Sequence, residues 1–206
     1  MNMEVKNSLK PVDYIDSMKI LEKRVIDVFE GKKDELLWIL EHQTICTAGT
    51  SSKDNDLLDK NLKVIKTNRG GKHTIHSPGQ KIVYFVLNLN KRKKDIKKLI
   101  NNVELCIINI LKEYNINSYN DPKNIGIWVK KNNESKKIAA IGVKVKRWIA
   151  YHGFSLNINV NLKKYENIIP CGIKDKGITN LKKIKNQDYT ELEKILIDNF
   201  IFNLKN

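Results

Sequence analysis

Two apolar runs of strand length, ELLWILEH (35–42) and KIVYFVLNL (81–89), constrain the fold most. Neither alternates with polar residues, and the second is rich in β-branched and aromatic side chains. A strand of that kind buries both of its faces, so its sheet needs a layer on each side. Helices are available for those layers. Apolar residues at Tyr14, Met18, Leu21, Val25, Val28 and Phe29 recur at three- and four-residue spacing after Pro11, and Gly31 ends the pattern. Ile100, Val103, Ile107, Ile110, Leu111 and Tyr114 mark a second helix over 94–114, with Cys106 on its apolar face as a packed core thiol. TELEKILIDNFIFNL (190–204) closes the chain as a third.

Further strands are expected at LKVIKT (62–67), GIWVK (126–130), KIAAIGVKVKRW (137–148) and AYHGFSLNINV (150–160). The last two are separated by almost nothing, which favours an antiparallel hairpin. TAGTSSKDN (47–55) reads as a loop and NIIPCGI (167–173) as a compact turn. The expected class is α/β (α+β), one domain over 1–206, with a mixed, mostly antiparallel sheet flanked by helices. No apolar run approaches the roughly 20 residues of a spanning helix, and the first residues lack a secretory h-region. Three cysteines without CxxC spacing fit free thiols in a reducing cytoplasm.

The chain carries 38 basic and 23 acidic residues, a formal charge of +15. Two readings stand: attraction to an acidic partner, or compositional drift toward Lys, Asn and Ile. A nucleic-acid-binding module would need clustered basic and aromatic residues, whereas the aromatic residues here are scattered.

Four segments depart from that background. In RGGKHTIHSPG (69–79), paired glycines permit close approach to the backbone, and Arg69 suits a carboxylate or phosphate. The bland alternative is a Gly-rich turn between strands. His73 and His76 lack nearby ligands that would complete a zinc site, and His42 suits a satisfied side chain at a strand end. In KIAAIGVKV (137–145), small residues in mid-strand suit a position where a ligand or another backbone lies against the sheet. In HGFSLN (152–157), Gly153 implies a bulge or close approach, and Phe154 an apolar wall. In PCGI (170–173), Cys171 sits between Pro170 and Gly172 in a turn, a place for an exposed nucleophile. Its thiolate needs a neighbouring cation or base, for which Lys137, His76 and His152 are candidates.

Taken together and in order, LLWILEHQTICTAG (36–49), RGGKHTIHSPGQ, KIAAIGVKVKRW, HGFSLNIN and PCGIKDKGITNL (170–181) resemble the lipoyl(octanoyl) transferase family. The resemblance implies a fold similar to biotin and lipoate protein ligase catalytic domains. It implies a cysteine thioester acyl-enzyme that moves an octanoyl group from octanoyl-acyl carrier protein to a lysine of lipoyl domains. The acceptors it implies are lipoyl domains of 2-oxoacid dehydrogenase complexes and glycine cleavage H protein, with no nucleic acid and no membrane.

The implied catalytic pair is Cys171, the nucleophile, and Lys137, which favours the thiolate and handles protons. The implied acyl pocket comprises Arg69, Gly70, Gly71, Lys72, His73, Thr74, Ile75 and His76, then Ala140, Ile141 and Gly142, then Gly153, Phe154 and Ser155. No metal or other cofactor is implied; phosphopantetheine arrives on the carrier protein as part of the substrate. Ile75, Ser77, Lys144 and Ser155 depart from the family's tyrosine, glycine, arginine and alanine, and DPKNI (121–125) lacks its arginine-containing loop. Ile75 and Ser155 bear on pocket shape. An ATP-dependent lipoate or biotin ligase on the same fold is the alternative, an amidotransferase moving octanoyl between lipoyl-bearing proteins is a nearer variant, and a basic nucleic-acid-binding module is a distant third.

Overall fold

The computed structural model describes residues 2–169 and 177–205. Within it, strands β1 (Met3–Asn7), β2 (Glu35–Leu40), β6 (Gln80–Asn88), β7 (Tyr119–Asn120), β8 (Ile127–Lys131), β9 (Glu134–Lys146) and β10 (Ile149–Asn157) form the main sheet. Their order is β1-β2-β6-β10-β9-β8-β7, and β11 (Gly177–Ile178) adds to β9 in parallel. The β1·β2 pair is also parallel and the remaining pairs of this sheet are antiparallel, so the mixed, mostly antiparallel expectation holds. A small sheet of β4 (Val64–Lys66), β3 (Ile45–Ala48) and β5 (His73–His76) stands beside it.

The two unbroken apolar runs become β2 and β6, and alternation divides their side chains between two cores. Leu37, Ile39, Val83, Phe85 and Leu87 face helices α2 (Ile96–Glu113) and α4 (Leu192–Lys205). Leu36, Trp38, Leu40, Ile82, Tyr84 and Val86 face α1 (Tyr14–Phe29). Asp13 caps α1 by accepting from Asp16 N–H, and Gly31 at φ 72° follows its end. Phe29, expected on the buried stripe, is instead 44% exposed, with the Arg147 guanidinium 5.0 Å from its ring. Cys106 is buried on α2 as expected.

Two-residue turns set the register of β8–β9 and β9–β10. Asn132 and Asn133 take φ 50° and 64°, a left-handed pair that asparagine tolerates. Arg147 and Trp148 take φ 52° and 60°, a costlier choice. Their carbonyls are held by Asn90 Nδ2 at 3.1 Å and Leu89 N–H at 2.8 Å. Among the described residues, no helix is long and apolar enough to cross a membrane.

Candidate active site

The RGG segment joins β4 to β5 and lies on the small-residue stretch of β9. A Cβ at Gly142 would stand 3.1 Å from Gly70 O, and one at Gly70 would stand 3.1 Å from Val143 O. The small residues of KIAAIG therefore admit another backbone, one of the two uses that mid-strand glycine and alanine suggest. Arg69 clips this loop. Its Nη2 donates to Thr47 O, Thr47 Oγ1 and Lys72 O at 2.8–2.9 Å, and its Nη1 to Gly70 O at 3.0 Å. Where residue chemistry alone suggested a carboxylate or phosphate ligand, both terminal nitrogens hold the chain's own carbonyls.

Beneath the loop lies a cavity of about 70 Å³. Of the expected pocket residues, Arg69, Gly70, Gly71, Lys72, His73, Thr74 and His76 line it from the loop and β5. Ala140, Ile141 and Gly142 line it from β9, and Gly153, Phe154 and Ser155 from β10. Ile75 does not. Strand alternation turns its side chain into a satellite core with Cys46, Val160, Tyr165 and Ile168. Its departure from the family tyrosine thus falls outside the cavity wall.

Four liners escaped the sequence reading of the pocket: Tyr14, Ile82, Tyr84 and His152. Tyr14 and Tyr84 belong to elements whose apolar patterns a core already explains, so no separate signal marked them. Behind the wall, His42 donates through Nδ1 to Val12 O and accepts at Nε2 from the Tyr84 hydroxyl, each at 2.8 Å. It is the satisfied strand-end residue expected. His76 donates to Gln80 Oε1 at 2.7 Å and stacks on Tyr14 with 6.0 Å between ring centroids. His152, at φ 69°, donates through Nε2 to Asn68 Oδ1 at 2.7 Å. His73 Nδ1 is buried without a hydrogen-bond partner among the described residues.

Burial depresses the basicity of all four histidines. Desolvation pushes His76 down to about 3, with His42 adding repulsion. Desolvation, then Arg69 and Lys144, brings His152 to about 3. His42 and His73 shift the same way, chiefly by desolvation. The unfolded chain then binds more protons wherever the pH lies between about 6.5 and about 3. Histidine-linked stability is complete above pH 6.5 and is lost as pH falls through that window. Urea titrations from pH 7 to pH 5 are expected to show unfolding free energy falling by roughly 1–1.5 kcal/mol per pH unit for each histidine that stays neutral when folded. His152→Asn should remove one such contribution from the slope, and a flat profile would contradict the burial described.

The same shifts bear on which group can stand beside a thiolate as a cation. His76 and His152 are neutral near pH 7, so neither supplies a cation there. Lys137, the third candidate, lies outside the 70 Å³ cavity, in an adjoining open cleft of about 860 Å³. The two share Gly70, Gly71, Lys72, Ala140, Ile141 and Gly142 as their common boundary. Lys137 is only 4% exposed, with Nζ donating to Ile125 O at 2.9 Å and lying 4.7 Å from the centroid of the Trp128 ring. Gly126 makes room for it: a Cβ there would stand 3.3 Å from Nζ. Cys171 and the rest of PCGI lie outside the described residues. The other two thiols are inert by burial, Cys46 pushed up to about 11 and Cys106 to about 12.

A separate cavity of about 340 Å³ lies between β1, the start of α2 and the end of α4. Its buried Glu35 pairs with the half-buried Arg92 in a two-point contact. It lacks the convergence of glycines, histidines and a buried lysine found under the RGG loop.

Comparison with known proteins gives this geometry a family. The lipoyl protein ligase A/B catalytic domain matches residues 13–201. The octanoyltransferase of Wolbachia pipientis subsp. Culex pipiens (strain wPip) is 44% identical over 173 residues, 84% of each chain. That of Ehrlichia chaffeensis (strain ATCC CRL-10679 / Arkansas) is 43% identical over 192 residues, 92% of this chain and 90% of the other. In fold, the bipartite lipoate protein ligase of Thermoplasma acidophilum superposes with a TM-score of 0.73 at 14% identity, covering 99% of this chain and 85% of that one. The biotin protein ligase of Aquifex aeolicus gives 0.53 at 18% identity, covering 99% and 70%. By the match over residues 13–201 and the identity to these relatives, the chain belongs to the octanoyltransferase family, on the lipoyl protein ligase A/B catalytic domain.

Proposed function

We propose that residues 1–206 act as one cytoplasmic catalytic domain that transfers an octanoyl group from octanoyl-acyl carrier protein to a lysine of lipoyl domains. The observation that carries this reading is the small-residue cavity opening beside a buried lysine, in a chain 44% identical to an octanoyltransferase. The Cys171 thiolate attacks the donor thioester carbon. The tetrahedral intermediate collapses, the carrier's phosphopantetheine thiolate leaves, and Lys137 supplies its proton. The acceptor lysine, as free amine, then attacks the octanoyl-cysteine; an amide forms, the Cys171 sulfur leaves, and Lys137 takes up the proton released by the nitrogen. Exchange of one thioester for another is nearly neutral, and amide formation drives the sequence.

In this reading, backbone N–H groups beside Gly172 or at 140–142 stabilise the oxyanion. Phe154 and the aliphatic edge of the cavity bury the alkyl chain at about 0.8 kcal/mol per methylene. The neutral histidines add no charge of their own to the acyl site. No nucleotide or metal enters these steps.

The test is intact-mass analysis after mixing the chain with octanoyl-acyl carrier protein in the absence of ATP. One octanoyl group should add, and Cys171→Ser should abolish it, since Cys46 and Cys106 remain protonated. Modification that required ATP and a free acid would replace this reading with the ligase alternative.

A further inference from the structure

The cleft beside the acyl cavity has its own chemistry. Four lysines, Lys72, Lys123, Lys137 and Lys144, are among the described residues that line it, and none of those described residues is acidic. Lys72 faces Asp56 at 3.6 Å. Among the described residues, neither Lys123 nor Lys144 has a carboxylate within ion-pair distance. The rest of the wall mixes the polar Thr50, Ser51, Asn68 and Asn124 with apolar residues, Ile96 43% and Ile125 54% exposed among them.

The floor is a strand edge that the RGG backbone approaches at one point, where a Cβ on Gly70 would stand 3.1 Å from Val143 O. β8 pairs with β9 only as far as Ala139, and beyond that β9 has strand pairing on its β10 side alone among the described residues. Such an edge presents N–H and C=O groups to any extended chain laid along it. From Ala140, at the cavity boundary, to Lys144 the strand rises about 13 Å at roughly 3.3 Å per residue.

These features match one occupant in length and chemistry. A phosphopantetheine arm has amides that can meet a strand edge and an anionic phosphate at its far end. Its chain from sulfur to phosphorus is about as long as four extended residues, roughly 15 Å. Resting on the donor assignment above, we propose that the carrier's phosphopantetheine arm lies along the open edge of β9 from Ala140 to Lys144, with Lys144 meeting its phosphate and the basic cleft meeting the acidic carrier. Opposite charge at this rim accelerates encounter and is screened by salt. The arrangement places the thioester at the shared boundary of cleft and cavity, with Lys137 in the cleft wall.

The experiment compares acyl-enzyme formation by the full-length chain from octanoyl-phosphopantetheine and from octanoyl-pantetheine, which lacks the phosphate. The wild-type preference for the phosphorylated donor should fall about tenfold in Lys144→Glu. Lys144→Gln should move it the same way by less, which preserves the test if the charge reversal impairs folding. With octanoyl-acyl carrier protein as donor, Lys144→Glu should also weaken the salt dependence of the rate. An unchanged donor preference overturns the proposal. So does a defect confined to transfer from acyl-enzyme to the lipoyl domain, which would assign the cleft to the acceptor. If the wild-type chain forms no adduct with any donor, the octanoyltransfer reading itself has failed, a result distinct from an adduct with an unaltered preference.

Discussion

Lys137→Met is expected to lower the rate of acyl-enzyme formation by about 10²–10⁴-fold while leaving the chain folded. Methionine keeps an unbranched apolar stem against Trp128 and removes only the amine. That amine is almost inaccessible to solvent, donates to Ile125 O at 2.9 Å and sits over the Trp128 ring. Losing it leaves the Ile125 carbonyl short of one donor, a cost of about 1–3 kcal/mol at most. Activity should therefore fall far more than stability. Lys137→Arg should not rescue, because the guanidinium does not exchange protons near neutral pH and is larger than the space that Gly126 leaves. Single-turnover rates from octanoyl-acyl carrier protein, read beside thermal unfolding, separate the two effects. A rate within tenfold of wild type would remove Lys137 from proton handling.

The environment of Lys137 also shows how far residue order alone reaches. Its surroundings come from three places: Ile125 and Gly126 before β8, Trp128 within it, and β9 itself. Only the pairing of β8 with β9 brings them together, and that pairing includes a register shift between Ile127 and Trp128. The main strands were legible because a doubly buried strand must be apolar on both faces, as β2 and β6 are. The β9–β10 hairpin was legible because a connection that short favours one. Strand β1, Met3–Asn7, was not, since its residues are half-buried or exposed and parallel pairing with β2 holds it in place. Half of β3 falls in the loop expected at 47–55, because Thr47 and Ala48 open a run rich in turn formers and only pairing with β4 and β5 makes them strand. Strand β11 has two residues and no pattern to detect.

In the site, the small residues of β9 signalled close approach correctly, and the RGG backbone is one partner that they admit. Arg69 lines the cavity, but the clip that its guanidinium makes on its own loop was not legible, because such an arginine has the same composition as one that binds a ligand. Ile75 misled because a motif names neighbours in sequence, whereas a strand sends alternate neighbours to opposite sides.

Gly153→Ala is expected to prevent stable folding. In β10 the residue lies between β6 and β9, facing Tyr84 on one side and Gly142 on the other. A Cβ there would fall 1.9 Å from Val83 O and 3.0 Å from Val83 C. Both contacts are backbone of a fully buried strand, so no side-chain rotation relieves them. The register runs unbroken through His152 and Gly153, which makes this a close approach and not a bulge. Relief requires β6 and β10 to part near the cavity, with loss of ladder hydrogen bonds and of packing on both faces of the sheet. A loss beyond about 4–5 kcal/mol is the expected scale, against a total of about 5–15 kcal/mol for an ordinary domain.

Gly31→Ala is the internal standard. At φ 72° it has no atom within 4 Å of a Cβ, so its cost is the left-handed backbone alone, about 1–2 kcal/mol. Urea midpoints and soluble yield for the two variants separate steric exclusion from backbone conformation. A folded Gly153→Ala chain with a midpoint near that of Gly31→Ala would mean that β6 and β10 do not approach as closely as described. The cavity beneath the RGG loop, which takes Gly153, Phe154 and Ser155 as one wall, would then need a different shape.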